Sequence, residues 1–370
     1  MTVCHASRGG VFIALYDEET LQLYLKEGLY ATLMRPWTPQ SSRQSKHFAA
    51  LADFCTIRPG AEIFFFLKRK IYYGGRVESG LRESGVNHPK FILNGDASKW
   101  GIWGKTPLVW DESKRQRYKA TSDSGHFLIS TSDGDVRHQP YLIKFTPCAE
   151  LVGRWIKSDE LYWAVARKKT YPMPSNSMQG MSFCTLSPGE VNIALGLLRE
   201  SKKAIDLDHD EGSACLTGTP FDQAEFKGVG LPKSLRDAFD HAFNENEIEC
   251  FLLANPTLFS QFVPLASSDV LARQVPVCPF KSGGMDRTDI AIYSASDPRY
   301  EMTPRAIIEV KRNVDNGGGF KQLAKYLEWL AIVEGRDFAR SVDALLVAPG
   351  LTPRAMPPFE WPNIRFAALE

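Results

Sequence analysis

Two apolar, β-branched runs near the C-terminus each carry charge: T-D-I-A-I-Y (288–293), with Asp289, and A-I-I-E-V-K (306–311), with Glu309 and Lys311. Runs of this kind predict neighbouring strands. Residues i and i+2 of a strand share a face, so Glu309 and Lys311 project together. Charge inside an apolar strand is costly unless something pairs with it. A divalent cation and a phosphate are suitable partners. The plainer reading of so short a motif is an edge-strand salt bridge between Glu309 and Lys311, or two solvated side chains.

The length of 370 residues accommodates two or three domains and at least one sizeable core. A net charge of +1 gives no global basic field, so any binding of nucleic acid must rest on local patches. The seven cysteines form no C-x-x-C pair, and the seven histidines form no H-x-x-x-H. Both facts argue against a disulfide framework and a zinc site, and the thiols read as buried groups in a reducing cytoplasm. No run approaches the roughly 18 apolar residues of a membrane span, and the first residues lack an apolar signal core; a cytoplasmic protein with no membrane partner is expected.

Residues 1–150 read as a strand-rich α+β domain. V-F-I-A-L-Y (11–16) is a strand, and residues 17–27 a helix stopped by Gly28. I-F-F-F-L (63–67), the basic tip Lys68-Arg69-Lys70 and Ile71-Tyr72-Tyr73 make a hairpin, and residues 141–145 a late strand. Residues 151–230 read as a connecting region. It holds a helix over 187–203, opened by a Ser187/Glu190 capping box with Pro188 at the first helical position. Its acidic loop carries Asp206, Asp208, Asp210 and Glu211, a solvated linker or, alternatively, a four-acid metal site. Residues 231–370 form an α/β domain: helices over 232–243 and from Asn244 to the Asn255-Pro256 stop, strands near 272–278, 287–294 and 304–311, a Gly317-Gly318-Gly319 loop, a helix over 320–334 and a strand at 343–348.

Phosphodiester hydrolysis needs a hard divalent cation, an activated water and charge stabilisation at phosphorus. Asp289 and Glu309 can supply carboxylates, the Val310 carbonyl a third ligand, and Lys311 an ammonium that orients or deprotonates water or stabilises phosphate. Gln322 and Tyr326 share a face of the following helix, where plain packing is the alternative. Glu245, Glu247 and Glu249 stand on the helix before the strands. Taken together, Glu245 through Ile248 and Phe251-Leu252 to Asn255-Pro256, Arg287-Thr288-Asp289-Ile290, Ile307 to Lys311, and Gln322 with Tyr326 resemble the PD-(D/E)XK nuclease superfamily. The likeness covers 244–348 and is nearest to the nuclease domains of EndoMS-type mismatch endonucleases and Shedu-type antiphage defence proteins. It implies a restriction-endonuclease-like mixed sheet flanked by helices. It also implies a Mg²⁺ or Mn²⁺ held by Asp289, Glu309, Val310 and Glu245, a catalytic Lys311, and Gln322 and Tyr326 orienting that lysine or contacting phosphate. Glu247 or Glu249 could replace Glu245. Met285-Asp286-Arg287 stands where the family carries a glycine; Arg287 would meet a DNA phosphate or simply pair with Asp286.

The N-terminal strands resemble EVE and other PUA-like domains at the level of pattern. That likeness implies a base-reading unit, with Trp37, Trp103 and Trp110 as pocket aromatics and partial core burial as the alternative for each. Lys68, Arg69 and Lys70, with Lys114, Arg115, Arg117 and Lys119, are the candidates for backbone contact, or for a solvated loop. The expectation is a DNA endonuclease of antiphage defence or restriction, dependent on modified bases. A mismatch or repair endonuclease is the first alternative, and an inactive DNA- or protein-binding scaffold the second. Double-strand cutting would suit a homodimer.

Overall fold

The structure, a computed structural model, describes residues 9–15, 18–34, 49, 52–58, 60–77, 118–120, 127–130, 136–167, 183–207, 236, 239–240, 242, 244–254, 256–258, 260, 262–266, 268–276 and 286–367. It is a mixed α/β protein built on two sheets. The elements of the first are β1 (Gly10–Ala14), α1 (Glu18–Glu27), β2 (Leu29–Met34), β3 (Glu62–Leu67), β4 (Lys70–Val77), β5 (Tyr118–Ala120), β6 (Phe127–Ser130), β7 (Val136–Pro147), β8 (Trp155–Lys157), α2 (Ser158–Ala166), β9 (Phe183–Leu186) and α3 (Pro188–Glu200). Those of the second are α4 (Glu245–Ala254), β10 (Asp269–Pro276), β11 (Arg287–Ser294), β12 (Ala306–Val310), α5 (Gly318–Glu334), α6 (Arg336–Ser341), β13 (Asp343–Val347) and β14 (Ile364–Ala367).

The first sheet runs β5-β6-β7-β4-β3-β1-β9, with β2 on β7 and β8 on β4. The expected hairpin is β3-β4. Lys68 and Arg69 both adopt positive φ, 50° and 62°, as the two-residue turn between paired Leu67 and Lys70 demands. The expected connecting role of 151–230 gives way to strand pairing over two stretches: β8 joins β4 and β9 joins β1. The Ser187/Glu190 capping box opens α3 as its sequence predicts. Of the expected helix 232–243, residues 236, 239 and 240 are described and helical. The acidic loop from Asp208 to Glu211 lies outside the described residues.

The second sheet runs β10-β11-β12-β13-β14. β10, β11 and β12 pair antiparallel; β12, β13 and β14 pair parallel, with α5 and α6 making the crossover. β14 and α6 were not legible as elements in the sequence. Of the expected glycine loop, Gly318 and Gly319 already belong to α5, and Gly317 is its N-cap at φ 97°. Asp315 accepts from the backbone N–H of Gly317 and Gly319, at 2.9 and 3.1 Å, in the manner of a capping side chain. A Cβ at Gly319 would run into the Leu346 side chain, so glycine lets α5 sit directly on β13.

Ile307, Ala344, Leu346 and Ile364 pack under α5 on one face of this sheet. On the other face, Leu271, Ile290, Ile308, Val310, Leu345 and Val347 belong to a core shared with Ile248 and Leu252 of α4 and with Val11, Ile63 and Phe65 of the first sheet. One apolar core therefore joins the two sheets. Among the described residues, no helix is long and apolar enough to cross a membrane.

Candidate active site

The candidate site lies at the end of the second sheet where β10, β11 and β12 meet. The register that pairs Ile290 with Ile308 puts Asp289 opposite Glu309, and the register that pairs Val275 with Thr288 puts Gln274 opposite Asp289. Gln274, Asp289 and Glu309 thus form a row across three strands. Directly opposed side chains of an antiparallel pair are neighbours.

Each oxygen of Asp289 accepts one hydrogen bond: Oδ1 from Gln274 Nε2 at 3.0 Å, and Oδ2 from the Val310 backbone N–H at 2.8 Å. Glu309 is only 1% exposed; its Oε1 accepts from Lys311 Nζ at 2.6 Å. Its Oε2 is buried and has no hydrogen-bond partner among the described residues. An unsatisfied buried carboxylate oxygen is unusual and calls for a cation, a proton or a water. Burial, reinforced by the charges of Glu309 and Glu249, pushes the Asp289 carboxyl well above the usual range. Burial likewise lifts Glu309 to about 7, against the attraction of Lys311. For Lys311 burial acts downward, but Glu309 and then Glu245 outweigh it and hold the ammonium above its ordinary value.

The acids of α4 divide. Glu245 is half exposed, with Oε1 3.9 Å from Lys311 Nζ, and stands at the rim. Glu247 is paired with Asn244 at the N-terminus of the helix, its backbone N–H donating to Asn244 Oδ1 at 3.3 Å. Glu249, 2% exposed, is the acid hydrogen-bonded into the row, accepting from Gln274 Nε2 at 3.2 Å. Among the described residues, no three His, Cys, Asp or Glu side chains gather as a ready-made metal cluster. The site offers two adjacent carboxylates, a donor set that suits Mg²⁺, which takes one or two carboxylates and fills its remaining positions with water and phosphate oxygens. The orphaned Oε2 of Glu309 fits the same cation.

Gln322 and Tyr326 do share a face of α5. Gln322 Nε2 donates to Tyr326 Oη at 2.6 Å, and Tyr326 Oη donates to the Arg287 carbonyl at 2.9 Å. Tyr326 thus holds the start of β11, two residues before Asp289. Asp286 pairs with Lys325 of α5.

The basic tip is engaged within the protein. Arg69 bonds both oxygens of Asp159 at 2.9 Å, Lys70 Nζ lies 4.2 Å above the Trp155 ring, and Lys68 Nζ is 3.8 Å from Glu18. Trp37, Trp103, Trp110, Lys114, Arg115 and Arg117 lie outside the described residues, and of Lys119 only the strand backbone is described.

Sequence reasoning passed over Gln274, Arg273 and Asp53. The available signal was Arg273, a charge in the middle of the run V-L-A-R-Q-V, which implies a buried partner. Arg273 Nε lies 2.6 Å from Glu249 Oε2, and Nη1 lies 2.9 Å from Asp53 Oδ1.

No family model matches the sequence, and no curated protein matches it. Among solved structures, the chain is similar to a repair endonuclease from Pyrococcus abyssi, with a TM-score of 0.25 and 22% identity over 35% of this chain and 49% of that one. The match spans about half of that protein.

Proposed function

We propose that this protein is a divalent-metal-dependent DNA endonuclease whose centre is Asp289, Glu309 and Lys311. The observation that carries the proposal is the buried Oε2 of Glu309, without a hydrogen-bond partner among the described residues, beside an Asp289 whose ionisation burial also opposes. Two buried carboxylates side by side are expensive in a protein without a cation to share. DNA as substrate rests on the likeness of four sequence elements, in order, to PD-(D/E)XK nucleases.

Asp289 and Glu309 would hold Mg²⁺ or Mn²⁺, with the Val310 carbonyl and the rim acid Glu245 as further donors. The cation supplies charge neutralisation at the phosphate and a more acidic water. The Val310 N–H and the Gln274 amide fix the orientation of Asp289. Lys311, held by the Glu309 carboxylate, stays charged and acts as a donor toward the phosphate oxygens rather than as a base. Tyr326 and Gln322 hold β11 in place through the Arg287 carbonyl.

As the target we propose foreign DNA whose modified bases are read by the N-terminal unit; this finer reading is supported by the EVE-like pattern of its strands. Equal affinity for one duplex with plain and with modified cytosines would remove it.

The test of the enzymatic reading is cleavage of plasmid DNA by purified protein with Mg²⁺ or Mn²⁺. Asp289→Ala and Lys311→Ala are expected to abolish cutting and to keep DNA binding. Undiminished cutting by both variants would overturn the assignment.

A further inference from the structure

We propose that Arg273 is a positioning residue that ties the N-terminal unit to the candidate metal site, through the chain Asp53–Arg273–Glu249–Gln274–Asp289. The inference rests on the metal-site reading above and extends it to residues more than 200 positions apart in sequence.

The Arg273 side chain is only 7% exposed, and each of its three guanidinium nitrogens donates a hydrogen bond. Nη1 donates to Asp53 Oδ1 at 2.9 Å, Nε donates to Glu249 Oε2 at 2.6 Å, and Nη2 donates to Asn246 Oδ1. Asp53 belongs to the helical turn 52–55 ahead of β3; Asn246 and Glu249 belong to α4. The planar fork of arginine reaches three acceptors in fixed directions, which an ammonium cannot reproduce.

The neighbouring residue carries the chain onward. Successive side chains of a regular strand point to opposite faces, yet Arg273 and Gln274 both reach Glu249. Gln274 has φ 51°, in the left-handed region that a glutamine rarely adopts. That twist lets its amide bridge Glu249 Oε1 at 3.2 Å and Asp289 Oδ1 at 3.0 Å. Backbone held in so unfavourable a region persists where its surroundings enforce it, and such residues cluster at functional sites. Here the enforcement comes from the two carboxylates, Glu249 and Asp289, that both accept from Gln274 Nε2.

The same N-terminal segment also reaches α4 directly: Arg58 Nη2 donates to the Leu253 carbonyl at 2.9 Å, at the C-terminal end of the helix. The segment 52–58 therefore fixes both the helix that bears Glu249 and the guanidinium that orients it. Loss of Asp53 frees one arm of the fork, lets Glu249 turn, and releases the Gln274 amide from the geometry that holds Asp289. Hydrogen-bond partners of metal ligands commonly change metal affinity by about 10- to 100-fold when removed.

The experiment is calorimetric titration of Mn²⁺ alone, without DNA, into the full-length protein. Wild type is compared with Asp53→Ala, Asp53→Asn, Gln274→Ala and the Asp53→Ala/Gln274→Ala double variant; urea unfolding checks each fold. Asp53→Ala is expected to weaken Mn²⁺ binding about tenfold, and Asp53→Asn, which keeps an oxygen acceptor for Arg273, to recover most of it. The double variant is expected to be no weaker than the worse single variant, because both substitutions break one chain. Wild-type affinity in a folded Asp53→Ala, or losses that multiply in the double variant, would overturn the proposal. Should Asp53→Ala not fold, Arg273→Lys takes its place in the cycle, with the same expectations. Asp289→Ala separates the two readings. Binding lost there but kept in Asp53→Ala overturns this inference alone; a wild type that takes up no Mn²⁺ overturns both.

Discussion

Lys311 Nζ lies 2.6 Å from Glu309 Oε1, while the other oxygen of Glu309 has no hydrogen-bond partner among the described residues. The lysine therefore serves one half of the carboxylate and leaves the other for a cation. Lys311→Met keeps the aliphatic stem and removes the charge. It is expected to reduce Mg²⁺-dependent cleavage by about 10²- to 10³-fold, as for loss of one well-placed donor to a developing charge. Without metal it also strands Glu309, at a cost of roughly 1–3 kcal/mol in urea unfolding. Cleavage within about tenfold of wild type would remove Lys311 from the reaction.

The buried carboxyl predicts a pH dependence with a definite sign. Glu309 is raised to about 7 from an ordinary 4.5. Between those values the folded chain keeps a proton that the unfolded chain has lost, so its contribution to stability is full below the lower value and falls as pH rises through the upper one. In a chelator, melting temperature should decline from about pH 4.5 to about pH 7 on this account and level off above it. Added Mn²⁺ must displace that proton, so its stabilising effect should grow over the same interval. Glu309→Gln should flatten both trends; a Mn²⁺ effect that shrinks with rising pH would contradict the assignment.

The row of Gln274, Asp289 and Glu309 was half legible. Asp289 and Glu309 betray themselves as carboxylates inside β-branched runs, and the capping pairs of Ser187 with Glu190 and Asn244 with Glu247 are local and therefore readable. Gln274 is not, because its role depends on a positive φ that no neighbouring glycine or asparagine announces. Asp53 is still further out of reach: its partner Arg273 is 220 residues away, and only the folded core brings them together. The same holds for β8 and β9, strands of three and four residues whose place in the first sheet is set by partners at 70–72 and 10–13.

Tyr326 separates positioning from direct participation. Its ring is buried under the sheet and its hydroxyl donates to the Arg287 carbonyl. Tyr326→Phe keeps the packing and loses about 1 kcal/mol of stability with the hydrogen bond. A role through β11 predicts a drop in kcat of about tenfold with little change in KM. A loss of about 10³-fold would instead place the phenol on the substrate.

The basic tip of the β3-β4 hairpin yields the sharpest test of the nucleic-acid surface. Arg69 is committed to Asp159 through two 2.9 Å bonds, and Lys70 lies 4.2 Å above Trp155. Lys68 has a looser partner, Glu18 at 3.8 Å, and an exposed side chain. Each phosphate neutralised on duplex DNA contributes about 0.9 to the slope of log affinity against log salt. Lys68→Ala is therefore expected to lower the slope by about that amount. Arg69→Ala and Lys70→Ala should leave the slope nearly unchanged and cost up to about 1 kcal/mol of stability. Binding isotherms across a salt series decide between the three. A full unit lost in Arg69→Ala, with none lost in Lys68→Ala, would show that the bond to Asp159 opens when DNA arrives.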